Sequence, residues 1–205
     1  MKPSIYTRTG DKGKTRIGGG KAVEKNDARI NAFGEVDHIN SWCGLVEASL
    51  AKNPYAGDIR EDIRTIQQFL FDCTSDLSVP QGYRDYKITG EHIEWLEGLV
   101  DRYSEEPPET FYFIIPGGTE AASWMHVLRT TTRNAERSLV TFIQEEPEEV
   151  NPHVLKFVNR LSDYFFIVAR VLNVRNEVAD VPYDRSEKVF HVSREKREAE
   201  KKNKD

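Results

Sequence analysis

Apolar residues recur at helical spacing through most of this chain. Val36, Ile39, Cys43, Val46 and Leu50 fall on one face and predict a first helix from about Arg29 to Ala51. Its other side carries Asp37, Asn40, Ser41, Gly44 and Ala48, a stripe of small and polar residues suited to close contact with a neighbour. Ile59, Ile63, Ile66, Leu70, Cys73 and Leu77 predict a second helix from about Asp58 to Leu77. Thr89 is a plausible N-cap for a third, with Ile93, Leu96, Val100 and Tyr103 on one face. Thr119 caps a fourth that reaches about Glu145, and Pro152 starts a fifth that continues to about Val178. Between the third and fourth, Phe111–Ile115 has the composition of a strand. Lacking an obvious partner, it reads as an extended buried connector ending at Pro116-Gly117-Gly118. Five helices with short connections predict an all-α bundle of ferritin-like type.

The fourth and fifth helices depart from simple amphipathicity. Trp124, Leu128, Thr131, Ala135, Leu139 and Phe142 form the core face of the fourth. His126, Arg129, Arg133, Glu136 and Arg137 lie opposite. A solvated face usually mixes Glu with Lys, whereas stacked arginines repel unless an anion offsets them. Arg also suits bidentate contact with phosphate or carboxylate. On the fifth helix, Val154, Phe157, Val158, Leu161, Phe165, Val168 and Leu172 face the core, and Asn159, Asp163, Phe166 and Arg170 lie on the other side. A phenylalanine there implies a second buried contact, with another subunit or a bulky apolar ligand.

The segment before the helices combines glycine, threonine and basic residues: Thr7, Arg8, Thr9, Gly10, Thr15, Gly18-Gly19-Gly20-Lys21 and Lys25. Such a loop can cradle a polyphosphate through backbone N–H groups, hydroxyls and cations. A mobile tail has the same composition, and the residues alone do not separate the two. The segment fits neither a Walker A loop nor a dinucleotide fingerprint. The organisation expected is an N-terminal loop (1–28), a bundle (29–183) and a charged, solvated tail (184–205).

Length and charge narrow the function. The 205 residues suit one domain, and a net charge of -5 argues against nucleic-acid binding through general electrostatics. No apolar run is long enough to span a membrane. Cys43 and Cys73 sit inside apolar helical patterns, as buried thiols do in a reducing cytoplasm, and do not make a metal site.

Five ordered blocks carry a family resemblance. They are Thr7-Arg8-Thr9-Gly10-Asp11-Lys12-Gly13, Gly34-Glu35-Val36-Asp37-His38-Ile39-Asn40-Ser41, Phe113-Ile114-Ile115-Pro116-Gly117-Gly118, Arg129-Thr130-Thr131-Thr132-Arg133-Asn134-Ala135-Glu136-Arg137 and Asn159-Arg160-Leu161-Ser162-Asp163. Together, over about residues 4–180, they resemble the PduO-type ATP:cob(I)alamin adenosyltransferases. The resemblance implies transfer of the 5′-deoxyadenosyl group of ATP to the cobalt of cob(I)alamin. It also implies a homotrimer with its sites between subunits, and an N-terminal loop that orders over ATP. By matching position, Thr7, Arg8, Thr9, Gly10, Thr15, Lys25, Arg133, Glu136, Arg137 and Asn159 should contact ATP, with Glu136 beside Mg2+. Asp37 and Arg129 should pair across the interface, and Phe113 should press on the lower corrin face. A flavoprotein cobalamin reductase and an adenosylcobalamin-dependent enzyme are the partners implied. His38 and Asn134 depart from the family's usual residues.

Three other readings share these residues: an ATP-binding helical protein without catalysis, a bundle whose charged face pairs with an acidic partner, and a conventional phosphotransferase. The lack of Walker elements or an acceptor-activating carboxylate weighs against the last.

Overall fold

The structure, a computed structural model, describes residue 6 and residues 8–185. Thr7 and the tail from residue 186 lie outside the described residues. Among the described residues there are five α-helices: α1 (Ala28–Leu50), α2 (Gly57–Leu77), α3 (Gly90–Ser104), α4 (Glu120–Glu145) and α5 (Pro152–Arg175). α5 packs along α4 and α3, and α1 packs along α4 and α2. The apolar faces of α2 and α5 close the core as the periodicity requires: Ile59, Ile63, Ile66, Leu70, Phe157, Leu161 and Phe165 are all fully buried. α5 ends at Arg175, three residues short of the expected Val178, because Asn176 and Glu177 turn the chain, Glu177 with φ 57°.

The caps are those that the residue types allow. Thr119 Oγ1 accepts from the Ala122 N–H at 3.1 Å, and Asn151 Oδ1 accepts from the His153 N–H at 3.0 Å. Asp27 Oδ1 does the same for the Arg29 N–H at 2.9 Å, placing the start of α1 one residue earlier than the apolar pattern. Thr89 caps α3, and its own N–H donates to His92 Nδ1 at 3.2 Å, closing a capping box with His in place of Glu.

Two short antiparallel ribbons decorate the bundle, and the sequence reading contained neither. The N-terminal loop folds as a hairpin, β1 (Lys14–Arg16) paired with β2 (Ala22–Glu24), with Thr15 opposite Val23. The second ribbon pairs β3 (Ile114–Ile115) with β4 (Val181–Pro182). The supposed buried connector is therefore a paired strand at the surface, with Phe113 52% and Ile115 49% exposed. Its partner lies 66 to 68 residues later in the sequence, beyond the reach of any local pattern.

Candidate active site

The second ribbon is fixed from beneath by α5. Asn173 is buried, its Oδ1 accepts from the Thr119 N–H at 2.9 Å, and its Nδ2 donates to the Gly117 carbonyl at 3.0 Å. Gly118 has φ +102°, and a β-carbon there would collide with the Asn173 amide. The Pro-Gly-Gly turn is thus a seat for one asparagine. Arg170, 6% exposed, pairs with Asp180 Oδ2 at 2.7 Å and donates to the Pro108 carbonyl at 2.6 Å. It ties together the two chain segments that lead into the ribbon. The Tyr183 N–H donates to the Phe113 carbonyl at 2.8 Å, so the backbone of Phe113 is held while its ring faces outward.

Under that ring lies a cleft of about 390 Å³, lined by Phe113, Ile114 and Pro116 from the ribbon, His126, Arg129 and Arg133 from α4, and Ser162, Asp163 and Phe166 from α5. It is apolar on the ribbon side and cationic on the α4 side. Burial, and then the neighbouring Arg133, push Arg129 below its ordinary value. Its Nε is buried without a hydrogen-bond acceptor among the described residues. Burial also holds the Asp163 carboxyl above the usual carboxylate range.

His126 lines the cleft beside Arg129 but is only 4% exposed, as a packing residue is; it packs between α4 and α5 against Phe166, with ring centroids 6.4 Å apart. Burial first, and then the charge of Arg129, lower it to about 4, and among the described residues neither ring nitrogen has a hydrogen-bond partner.

One turn beyond Arg133 on α4, Glu136 Oε1 accepts from Asn159 Nδ2 of α5 at 2.7 Å. Arg137 donates to Asn134, one of the two departures noted in the sequence. Asp37 is exposed on α1. At the neighbouring departure, His38 Nε2 accepts from the Trp42 indole at 2.9 Å.

Of the expected site residues, Phe113, Arg129 and Arg133 meet at one cleft, and Glu136 and Asn159 meet next to it. The N-terminal set forms a second group. Thr15 lies on β1, Gly10 sits against Lys25, where an added β-carbon would be 3.0 Å from Nζ, and Arg8 and Thr9 are exposed. This group docks at the end of α2 through a Gly18 N–H to Ser78 carbonyl bond of 2.6 Å, and none of its described residues lines the Phe113 cleft of the same chain. Sequence reasoning missed Asn173 and the partners of Arg170, whose only signal was polarity on a buried face. Phe166 was visible as an aromatic on the polar side of its helix.

A helical bundle with an arginine-lined cleft under an exposed aromatic defines a class that binds an anionic and a large apolar group side by side. Comparison gives the class its family. The sequence matches the family model described as cobalamin adenosyltransferase over residues 5–172, and the chain belongs to that family. It is 45% identical over 186 residues to the corrinoid adenosyltransferase of Bacillus subtilis, covering 91% of this chain and 95% of that one. It is 38% identical over 181 residues to that of Mycobacterium leprae, covering 85% and 93%. A variant PduO-type ATP:corrinoid adenosyltransferase from Lactobacillus reuteri, complexed with cobalamin and ATP, superposes with a TM-score of 0.86 at 43% identity, covering 91% of this chain and 100% of that one.

Proposed function

We propose that this enzyme transfers the 5′-deoxyadenosyl group of ATP to the cobalt of cob(I)alamin, giving adenosylcobalamin and triphosphate. The observation that carries the reading is the meeting of Phe113, Arg129 and Arg133 on one cleft in a chain of this family. The lone pair of Co(I) attacks the ribose C5′, the C5′–O bond breaks, and its electron pair leaves on the triphosphate. The cobalt supplies the nucleophile, so the protein needs no activated side chain. It needs alignment, which can supply about 7–11 kcal/mol of a barrier, and countercharge for the leaving group. Arg133 and Arg137, exposed on α4, supply that countercharge, with Asn159 and Glu136 holding the nucleotide beside them.

Phe113 presses on the lower corrin face and excludes the base and water. The four-coordinate Co(II) form accepts an electron more readily, which brings Co(I) within reach of a flavoprotein reductase. An adenosylcobalamin-dependent enzyme is the proposed recipient of the product.

Mg2+ fits this site as a companion of the triphosphate. Among the described residues no group of three or more His, Cys, Asp or Glu could hold a metal ion. Mg2+ commonly binds through one or two carboxylates plus substrate phosphates, and Glu136 is the carboxylate in place. When bound, the ion neutralises phosphate charge.

The working unit is a homotrimer in which Asp37 of one subunit pairs with Arg129 of the next. The acceptor-less buried Nε of Arg129 and the exposure of Asp37 support this. The same arrangement would bring the N-terminal group of one subunit to the α4 arginines of another. The proposed compartment is the cytoplasm. Buried, unpaired Cys43 and Cys73 suit it, and among the described residues no helix is long and apolar enough to cross a membrane.

The phosphate product tests the reaction class. Incubation with ATP, Mg2+ and reduced cobalamin should release triphosphate; release of ADP would assign a conventional phosphotransferase.

A further inference from the structure

Residues 77–79, between the end of α2 and Pro80, form a strap gripped twice by the N-terminal segment. The first grip is Arg29, in the first turn of α1, whose side chain is 3% exposed. Its Nη1 donates to the carbonyls of Leu77 at 3.3 Å and Val79 at 3.0 Å. Its Nη2 meets Glu146 at 2.9 Å and Glu149 at 2.8 Å, and its guanidinium lies over the Phe142 ring at 4.7 Å. Glu149 also accepts from the Gln81 N–H at 3.3 Å. A buried guanidinium with both ends satisfied is a rigid fixture, and its planar fork can hold two carbonyls and two carboxylates at once.

The second grip is Gly18, at the turn of the β1–β2 hairpin. Its N–H donates to the Ser78 carbonyl at 2.6 Å. The three consecutive glycines there answer to two different requirements. Gly19 and Gly20 have φ of +79° and +83°, a conformation that side chains resist. Gly18 has no such angle, but a β-carbon on it would lie 2.5 Å from Val79 Cγ1 and 3.1 Å from the Ser78 carbonyl oxygen. It is a glycine of close approach.

The hairpin tip and the start of α1 are therefore pinned to the same three residues, and everything from Gly18 to Arg29 is a closed loop on the strap. Pinning both ends removes much of the freedom that the segment would otherwise lose on binding a ligand.

We propose that Gly18 and Arg29 are positioning residues for the nucleotide: they act through the 77–79 strap to preset the hairpin carrying Thr15 and Lys25, and touch no substrate themselves. This rests on the ATP reading above. It assigns a shared cause to a glycine and a buried arginine that lie outside the phosphate contacts.

The test is Gly18→Ala alone and combined with Val79→Ala, which removes the atom that the new methyl meets. Gly18→Ala should raise the KM and Kd for ATP about tenfold or more, with kcat at saturating ATP within about twofold of wild type. Its thermal unfolding should be unchanged, and trypsin should cut faster between Lys12 and Lys25. Adding Val79→Ala should return ATP affinity most of the way. Arg29→Lys keeps the charge but cannot span all four partners, and should shift KM in the same direction. Unaltered ATP affinity in Gly18→Ala, or a loss that Val79→Ala does not relieve, would overturn the proposal. Failure of the nucleotide reading itself looks different. Wild-type protein would then bind no ATP while Gly18→Ala was still cut faster, and the positioning role would fall with that reading.

Discussion

Asn159 of α5 donates to Glu136 of α4 at 2.7 Å, and the same asparagine accepts from Arg160, which pairs with Glu97 of α3. A polar chain across three helices thus fixes one carboxylate a single turn from Arg133. The Glu136 carboxylate is held in place by protein contacts alone. Removing the tie with Asn159→Ala should raise the ATP KM by about tenfold, while the fold loses only about 1 kcal/mol, the usual net worth of such a bond. Titration calorimetry with ATP and a urea melt check the two halves.

Arg133 is exposed on α4, and its positive charge is the countercharge proposed for the leaving triphosphate. Arg133→Ala should lower kcat/KM for ATP by about 30-fold or more, as loss of a charge-assisted contact implies, with the melting temperature unchanged. Steady-state kinetics near wild type would remove the phosphate role.

Phe113 is half exposed on a ribbon whose backbone is held by Tyr183 and, through the Pro-Gly-Gly turn, by Asn173. Truncating the ring should leave the ribbon in place. Phe113→Ala should therefore impair adenosylation starting from cob(II)alamin far more than it weakens ATP binding. Equal loss of both in parallel assays would sink the assigned role.

His126 gives a pH signature of the fold. Its folded value is depressed to about 4 by burial and then by Arg129, so the native state favours the neutral ring. The unfolded chain takes up the proton first, near pH 6.5. Stability should be intact above that pH, fall as pH drops from about 6.5, and level off near 4, with up to about 3 kcal/mol at stake. Urea melts across this range should show the slope in wild type and a flatter profile in His126→Leu.

The helices were legible because each apolar face repeats every three or four residues; those from Val36 to Leu50 and from Val154 to Leu172 bury completely, while Ile93, Val100 and Trp124 are partly buried. The two ribbons were not. Ile114 pairs with Pro182, and nothing in either dipeptide announces the other. The hairpin of 14–24 has too few apolar residues to show alternation, and it is held by backbone geometry at three glycines instead. At the site, stacked arginines and an aromatic on a polar face could be read as a ligand surface. Their convergence could not, because Phe113 reaches the cleft only through the turn that Asn173 holds. Arg29 stood in the sequence only as the approximate start of a helix; its four partners show it as a clamp.

ATP should order and shield the N-terminal segment further. Residues 5–25 should resist trypsin in its presence more than in its absence, and equal digestion would separate the hairpin from nucleotide binding.

The product that defines the proposed reaction is a cobalt–carbon bond. Purified protein mixed anaerobically with chemically reduced cobalamin, ATP and Mg2+ should convert the Co(I) absorbance to that of a light-sensitive alkylcobalamin, in proportion to triphosphate released. A spectrum that stays at Co(I), or a product indifferent to light, would rule out adenosyl transfer to cobalt.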